Sequence, residues 1–558
     1  MATWHRARKP LSISGLDVIT SITSVTTAYS TTSEAARAAN IDPVFPKADD
    51  VDVLLLLEGT FPYVSGGVSS WVNQIIRGFP EIRFGAIFIG SRREDYGQPR
   101  YELPPNLVHL ETIFLHHHED LHEKHSEKHS LLASLRPHAD LQVMPQVEHM
   151  HDLFDGQLDH PECPALFAGL MDEMHPGGQL DRQLYLHSRK AWEFIKKSYR
   201  RKSTDPSFVD YFWTVRTLHT PFWALREAAR RAPRARVYHS ISTGYAGVLG
   251  VLLKHRAPRP FLLSEHGIYV KERKIDLYQA QWIKDNRNVF ERDPSQISYY
   301  RQLWIRFFEH LGYLTYQAAD EIVALYEANR RRQVQDGAPA ERTCNIPNGI
   351  PVERFRALRR APEVAVPPVL CLIGRVVPIK DVKTFIRAMR KVANRLPHAE
   401  AWIAGPVDED PAYAEECQEL VRFLGLEGRV KFLGFQQMTE LLPKIGLVVL
   451  SSISEALPLV VLEGYAAGVP TLTTDVGSCR QLVEGLPGED AALGVSGRVV
   501  RIADPEALAD GALELLTDRA AWQSASVAAV RRVETYYSQD LLFQRYRELY
   551  EKNFAWQA

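Results

Sequence analysis

The fold class the sequence predicts is α/β: two Rossmann-like domains, each a doubly wound parallel sheet, facing a central cleft. Three observations carry this reading. The chain has 558 residues, more than one hydrophobic core ordinarily serves. Short apolar runs alternate with segments of helical periodicity, the rhythm of βαβ units. That rhythm occurs twice, on either side of the charged, proline-rich stretch "RALRRAPEVAVPP" at 356–368, which reads as a domain boundary.

Taken in order, residues 1–48 are rich in Ser, Thr and Ala and weakly periodic, so a poorly ordered tail is expected. "VDVLLLLEGT" (51–60) is a nearly continuous apolar run ending in glycine, suited to a strand buried on both faces. In "SGGVSSWVNQIIRGF", Val68, Trp71, Val72, Ile75, Ile76 and Phe79 recur at helical spacing just after Gly66 and Gly67. "RFGAIFIG" (83–90) supplies the next strand. The pattern weakens from about 115 to 200, read as a polar insertion within a first domain spanning 49–358. It resumes with "RVYHSIS", "FLLSEHG", "EIVALY" and "CNIPNGI".

The second domain, 366–536, opens with the strand "VLCLIGR" and the helix "DVKTFIRAMRKVANRL". "EAWIAG", "RVKFLG", "LVVLSS", "VPTLTTD" and "GRVVRI" follow as strands with helices between. The last segment, 537–558, is predicted as a helix packing back toward the first domain.

Composition narrows the function. Sixty-six basic residues against 68 acidic ones leave a net charge of −2, which gives no support to nucleic-acid binding. Five scattered cysteines without a CxxC motif indicate neither a disulfide framework nor a zinc site, and a reducing, cytoplasmic setting fits them. No apolar run approaches the ~18 residues a membrane span requires. No GxGxxG follows either first strand, which counts against a dinucleotide-dependent oxidoreductase.

The chemistry is expected in "SISEALPLVVLEGYAAGVPTLTTD" (452–475). Glu455 falls in the loop at the carboxyl end of a buried strand, and Glu463 in the helix that follows. Pro458 is read as a first-turn residue of that helix, and Gly468 as its end. A helix start offers unpaired N–H groups and partial positive charge to a phosphate, while a carboxylate on each side can accept from vicinal hydroxyls. That is the shape of a nucleotide-sugar, although the spacing alone equally fits two solvated glutamates.

"GRVVPIKD" places Arg375 and Lys380 where open α/β sheets bind ligands. Two cations there could neutralise a diphosphate leaving group; a solvated basic loop is the alternative. Gly66 and Gly67 at a helix start would let a ligand approach the backbone, as would any tight turn. His266 in "SEHG" and His239 in "VYHS" fit a site role or a structural hydrogen-bonded one. The His-rich "HHHEDLHEKHSEKHS" (116–130) reads as a solvated loop rather than a metal site.

Together these motifs resemble glycosyltransferase family 4, which combines a glutamate–seven residues–glutamate motif, an Arg…Lys pair and a glycine loop on the GT-B fold. The long stretch beginning "LLLEGTFPYVSGGVSSWVNQII" and "SEHGIYVKERKID" resemble the PelF-type members of Pel exopolysaccharide synthesis.

The resemblance runs from about 50 to 553. It implies that Glu463 holds the ribose, Glu455 contacts the donor sugar, and Arg375 and Lys380 bind the diphosphate. It further implies that His266 lies near the transferred sugar and that Gly66 and Gly67 approach the donor. Leu457, Pro458 and Leu459 would line the donor through their backbone, and Phe435 would flank the base. Where many relatives have Gly-Phe-Gly after the first glutamate, this chain has Ala456-Leu457-Pro458.

The implied activity is retaining, metal-independent transfer of a hexose from UDP-glucose or a UDP-N-acetylhexosamine to a growing exopolysaccharide such as Pel. No cofactor is expected beyond the UDP-sugar substrate. The implied partners are inner-membrane Pel synthase and export subunits. Two other readings stay open: a soluble family 4 enzyme with a small acceptor, and a non-catalytic UDP-sugar-binding subunit of a membrane complex.

Overall fold

The computed structural model describes residues 45–115, 142–156, 160–288 and 296–555. The predicted tail up to residue 44 and the His-rich 116–130 tract lie outside the described residues. Among the described residues thirteen strands form two wholly parallel sheets. The first contains β1 (Asp50–Glu58), β2 (Phe84–Gly90), β3 (Leu107–Phe114), β4 (Arg234–Ser240), β5 (Phe261–Glu265), β6 (Glu321–Ala324) and β7 (Thr343–Asn345), in the order β3-β2-β1-β4-β5-β6-β7. The second contains β8 (Val369–Ile373), β9 (Glu400–Ala404), β10 (Val430–Gly434), β11 (Leu447–Leu450), β12 (Thr471–Thr474) and β13 (Gly497–Val500), in the order β10-β9-β8-β11-β12-β13. In both sheets the winding reverses beside the first strand, at β1/β4 and at β8/β11. A doubly wound sheet opens a crevice at such a point.

The apolar runs follow from this layering. Val53, Leu55 and Leu57 of β1 enter one core cluster, and Leu54 and Leu56 enter the cluster on the opposite face. β8 divides likewise, Leu370 and Leu372 to one side and Val369 and Cys371 to the other. A strand covered by helices on both faces needs carbon at every position. The final helix, Gln539–Phe554, supplies Leu542, Tyr546, Leu549 and Tyr550 to the β1 cluster, so the end of the chain completes the first domain's core.

Two features differ from the sequence expectations. β3 went unrecognised: "LVHLETIF" carries His109 and Glu111, yet both are buried. His109 Nδ1 pairs with the carbonyl of Ala48 at 2.9 Å, and Glu111 meets Arg231 at 3.1 Å. The polar insertion expected near 115–200 is, over its described part, a helical layer: Met144–Asp155, Cys163–Asp172, Arg182–His187 and Arg189–Lys202. These helices turn Met150, Leu153, Phe167 and Phe194 into the first core and their charges outward, a pattern that the dense Lys, Arg and His content obscures. They enclose a cavity of about 70 Å³ lined mainly by carbon, with His151 and His219 in its wall.

The two chain crossings between domains run side by side. Ile350 N donates to Tyr537 O at 3.0 Å and Gln539 N to Ile350 O at 2.9 Å. At Gly349 a Cβ would stand 2.3 Å from Ser538 O, so only glycine admits this approach. The carboxyl ends of the sheets meet where Glu327 N, past β6, donates to Gln481 Oε1, past β12, at 3.1 Å. A cleft therefore opens between the two sets of strand ends.

Candidate functional site

The loops leaving β8 and β11 are sewn together at the second sheet's switch point. Ser451 Oγ donates to Lys380 O at 2.9 Å, and Ile453 N to Ile379 O at 2.8 Å. Pro378–Lys380 forms a 3₁₀ turn, and Asp381, at φ +44°, caps the helix Val382–Arg395 by accepting from Thr384 N at 3.3 Å. This frame brings Lys380 Nζ to 2.5 Å from Glu455 Oε1. Ser452 Oγ donates to the same oxygen at 2.6 Å.

The Glu455 loop is braced from behind. Ser478 N donates to Ala456 O at 2.9 Å. Gly477, at φ +54°, lies so close that a Cβ would be 2.2 Å from Glu455 O.

Arg375 departs from this group. It is 52% exposed and pairs with Glu409 of the loop after β9, not with the carboxylate that holds Lys380. The two cations share one loop and stand apart in their partners.

The helix after Glu455 is Leu459–Ala466. Pro458 stands one position earlier than expected, as the extended N-cap residue at φ −76°, ψ 108°. Its carbonyl accepts from Val461 N at 3.1 Å, which starts the helix one residue later. The Leu457 side chain is buried among Val461, Leu462 and Tyr465, so a ligand could meet only its backbone. Leu459 is half-buried and borders the helix start, whose first N–H groups lack intrahelical acceptors.

Glu463 is half-buried on this helix, and its carboxylate has no hydrogen-bond or ion-pair partner among the described residues. Burial pushes its carboxyl up to about 7, against a smaller opposing influence from Arg354. Phe435 follows β10 at 76% exposure, beside Gly434 at φ +63°.

Across the cleft, Gly66 is the N-cap of the helix Gly67–Gly78, and a Cβ at either glycine would meet nothing within 4 Å. Space, not backbone strain, is what these glycines leave. Trp71 of that helix sets its ring 4.6 Å from His266, edge to face. His266 is buried, its Nε2 lacks a partner among the described residues, and burial holds its pKa down to about 3. It is therefore a neutral imidazole near pH 7. His239 resolves as structural: Tyr550 Oη lies 2.9 Å from Nδ1 and Ser264 Oγ 2.8 Å from Nε2.

Sequence reasoning missed a second polar group at the β1/β4 switch point. Glu58 accepts from Tyr269 Oη at 2.7 Å and from Ala246 N at 3.2 Å, and Arg273 donates to Tyr269 Oη at 3.1 Å. The signal was present: Glu58 is the one charge inside an otherwise apolar strand end. Among the described residues no three His, Cys, Asp or Glu side chains are grouped as metal ligands.

Comparison with known proteins adds relatives. Residues 51–341, just over half of the chain, match the family profile described as "Domain of unknown function (DUF3492)", and residues 367–518 match "Glycosyl transferases group 1". An exopolysaccharide phosphotransferase of Streptomyces coelicolor is 32% identical over 237 residues, 42% of this chain and 23% of the relative. D-inositol 3-phosphate glycosyltransferase 2 of Catenulispora acidiphila is 31% identical over 261 residues, 42% of this chain and 58% of the relative. The chain thus spans between about a quarter and three fifths of the length of these two curated relatives.

Among solved structures, Anabaena HepE in complex with UDP aligns with a TM-score of 0.54 at 16% identity, over 90% of this chain and all of that one. Sucrose-phosphate synthase from Thermosynechococcus elongatus gives 0.50 at 17%, over 90% and 99%. These likenesses establish the fold, two parallel-sheet Rossmann-like domains in the GT-B arrangement.

Proposed function

Because the chain belongs to the DUF3492 family and carries a group 1 glycosyl transferase domain, we propose that it transfers a hexose from a UDP-sugar to a growing exopolysaccharide, with retention of anomeric configuration. The observation that carries the reading is the Lys380–Glu455 pair at the switch point, at the mouth of a helix whose first N–H groups are free for a phosphate. In this reading Lys380 neutralises charge on the departing diphosphate, joined by Arg375 once it leaves Glu409. Glu455 accepts from hydroxyls of the donor sugar and Glu463 from the ribose. Gly66 and Gly67 admit the donor from the other domain, and neutral His266 offers a hydrogen bond beside the sugar. With the leaving phosphate assisting the incoming hydroxyl on the same face, no protein nucleophile and no metal is called on.

The HepE complexes, which hold UDP and UDP-glucose, support the choice of donor. The exopolysaccharide relative supports a polymeric acceptor. The inositol phosphate glycosyltransferases support instead a small acceptor, and product size separates the two. Within this proposal the partners are membrane-bound synthase and export subunits of a Pel-type system.

The test is a transfer assay on the purified chain with a panel of UDP-sugars, following UDP release and the anomer formed by NMR. Release of UDP with retention is expected. Lys380→Ala should lower turnover at saturating donor by more than about tenfold. Unchanged turnover removes Lys380 from the mechanism, and UDP binding without transfer or hydrolysis favours a non-catalytic subunit.

A further inference from the structure

The first domain carries an exposed aromatic face that the proposed reaction does not use. Trp192 is 43% exposed, Trp213 50% and Val209 63%. They sit on two neighbouring helices, Arg189–Lys202 and Phe208–Arg231. Phe212 links them: its ring lies 5.7 Å from Trp192 and 5.4 Å from Trp213. A soluble protein rarely leaves two tryptophans and a valine side by side in water without a partner.

The first of these helices is strongly basic, while Asp210 lies in the first turn of the second. The helix "RKAWEFIKKSYRRK" holds seven basic residues and one acidic. Lys197, Arg201 and Lys202 are drawn to Glu148, Asp152 and Asp155 of the helix beneath, and Arg189 to Glu193. Among the described residues Lys196 and Arg200 make no ion pair within 4 Å, although Lys196 is near enough to Glu193 to help hold its carboxyl ionised. Lys196 instead lies over the Trp192 ring at 5.9 Å, and Arg216 over Phe212 and Trp213 at 5.3 and 5.8 Å. Indole rings fringed by cations are the composition of a surface that lies at a lipid headgroup boundary.

We propose that this face docks the protein peripherally on an anionic lipid surface, with Trp192, Val209 and Trp213 entering the headgroup layer and Lys196 and Arg200 meeting lipid phosphates. No helix among the described residues is long and apolar enough to cross a membrane, so attachment of this kind is interfacial.

The experiment is flotation of the full chain with protein-free vesicles of phosphatidylcholine alone or mixed with phosphatidylglycerol. The wild type should float with the mixed vesicles only and be released by high salt. Trp192→Ala/Trp213→Ala should lower the partition coefficient by about tenfold or more, and Lys196→Glu/Arg200→Glu should abolish the preference for anionic lipid. Circular dichroism and UDP calorimetry on each variant separate loss of docking from loss of fold, and UDP affinity should be unchanged. No flotation of the wild type, or equal flotation of wild type and variants, overturns the proposal. So does binding to native membranes but not to protein-free lipid, which would assign the face to a protein partner.

Discussion

Lys380 and Glu455 belong to loops 75 residues apart in sequence, yet Nζ stands 2.5 Å from Oε1, with side chains only 19% and 12% exposed. Before any donor arrives, the ammonium that should meet a diphosphate is already held by a carboxylate. Replacing that carboxylate by an isosteric amide frees the cation and removes a negative charge from beside the incoming phosphates. Glu455→Gln is therefore expected to tighten UDP binding by about three- to tenfold, while transfer falls for want of the sugar contact. Calorimetry against steady-state turnover checks both halves. Weaker UDP binding in this variant would show that Glu455 does not compete for Lys380.

Glu463 titrates near neutrality. Burial raises its folded pKa to about 7 from a usual 4.5, so near pH 6 most molecules hold it protonated. Ribose hydroxyls donate best to the carboxylate, and binding through that form favours the ionised state. UDP affinity should then rise as pH increases from 6 to 8. Glu463→Gln should lose that part of the slope and keep only the part belonging to the ligand's own phosphate. Superimposable slopes for wild type and variant would remove Glu463 from the ribose.

Glycines in the two halves of the site do different work, and alanine separates them. At Gly67 a Cβ meets nothing, so Gly67→Ala should leave the thermal midpoint within about a degree or two and act on donor binding alone. Gly477, at φ +54°, has no room: an added methyl would stand 2.2 Å from Glu455 O. Gly477→Ala should cost about 1–3 kcal/mol and displace the Glu455 loop. Differential scanning calorimetry with UDP titration distinguishes the two; equal stability loss in both would contradict the geometry.

Much of this arrangement was legible because it rests on periodicity. The buried strands β1, β2, β8 and β11 announce themselves as unbroken apolar runs, and Gly66-Gly67 and Pro458 mark helix starts to within a residue. β3 was not legible, because His109 and Glu111 are buried by partners distant in sequence, Ala48 and Arg231. The helices of 142–202 hid for a related reason: their charges pair across helices, as Lys197 does with Glu148. In the site, sequence placed Arg375 and Lys380 on one loop. That Arg375 turns to Glu409 while Lys380 turns to Glu455 depends on which strands are neighbours in the sheet.

Acid should probe the histidines and carboxylates against each other. Burial holds His239 at about 3, against 6.5 in an unfolded chain. Between those values the unfolded state binds more protons, so this contribution to stability is lost as pH falls below 6.5. At pH 5 the loss from His239 alone is about 2 kcal/mol. Glu265, buried and accepting from Tyr316 at 2.6 Å, is pushed up to about 7 by burial. There the folded state binds more protons, and stability falls as pH rises from 4.5 to 7. The two slopes oppose each other in the wild type. His239→Gln removes the first and keeps the second. Whatever the variant costs at pH 8, where the bonds to Tyr550 and Ser264 are lost, that cost should shrink by about 2 kcal/mol at pH 5. Urea unfolding at the two pH values measures it, and a cost independent of pH would mean that His239 is not held neutral by its burial.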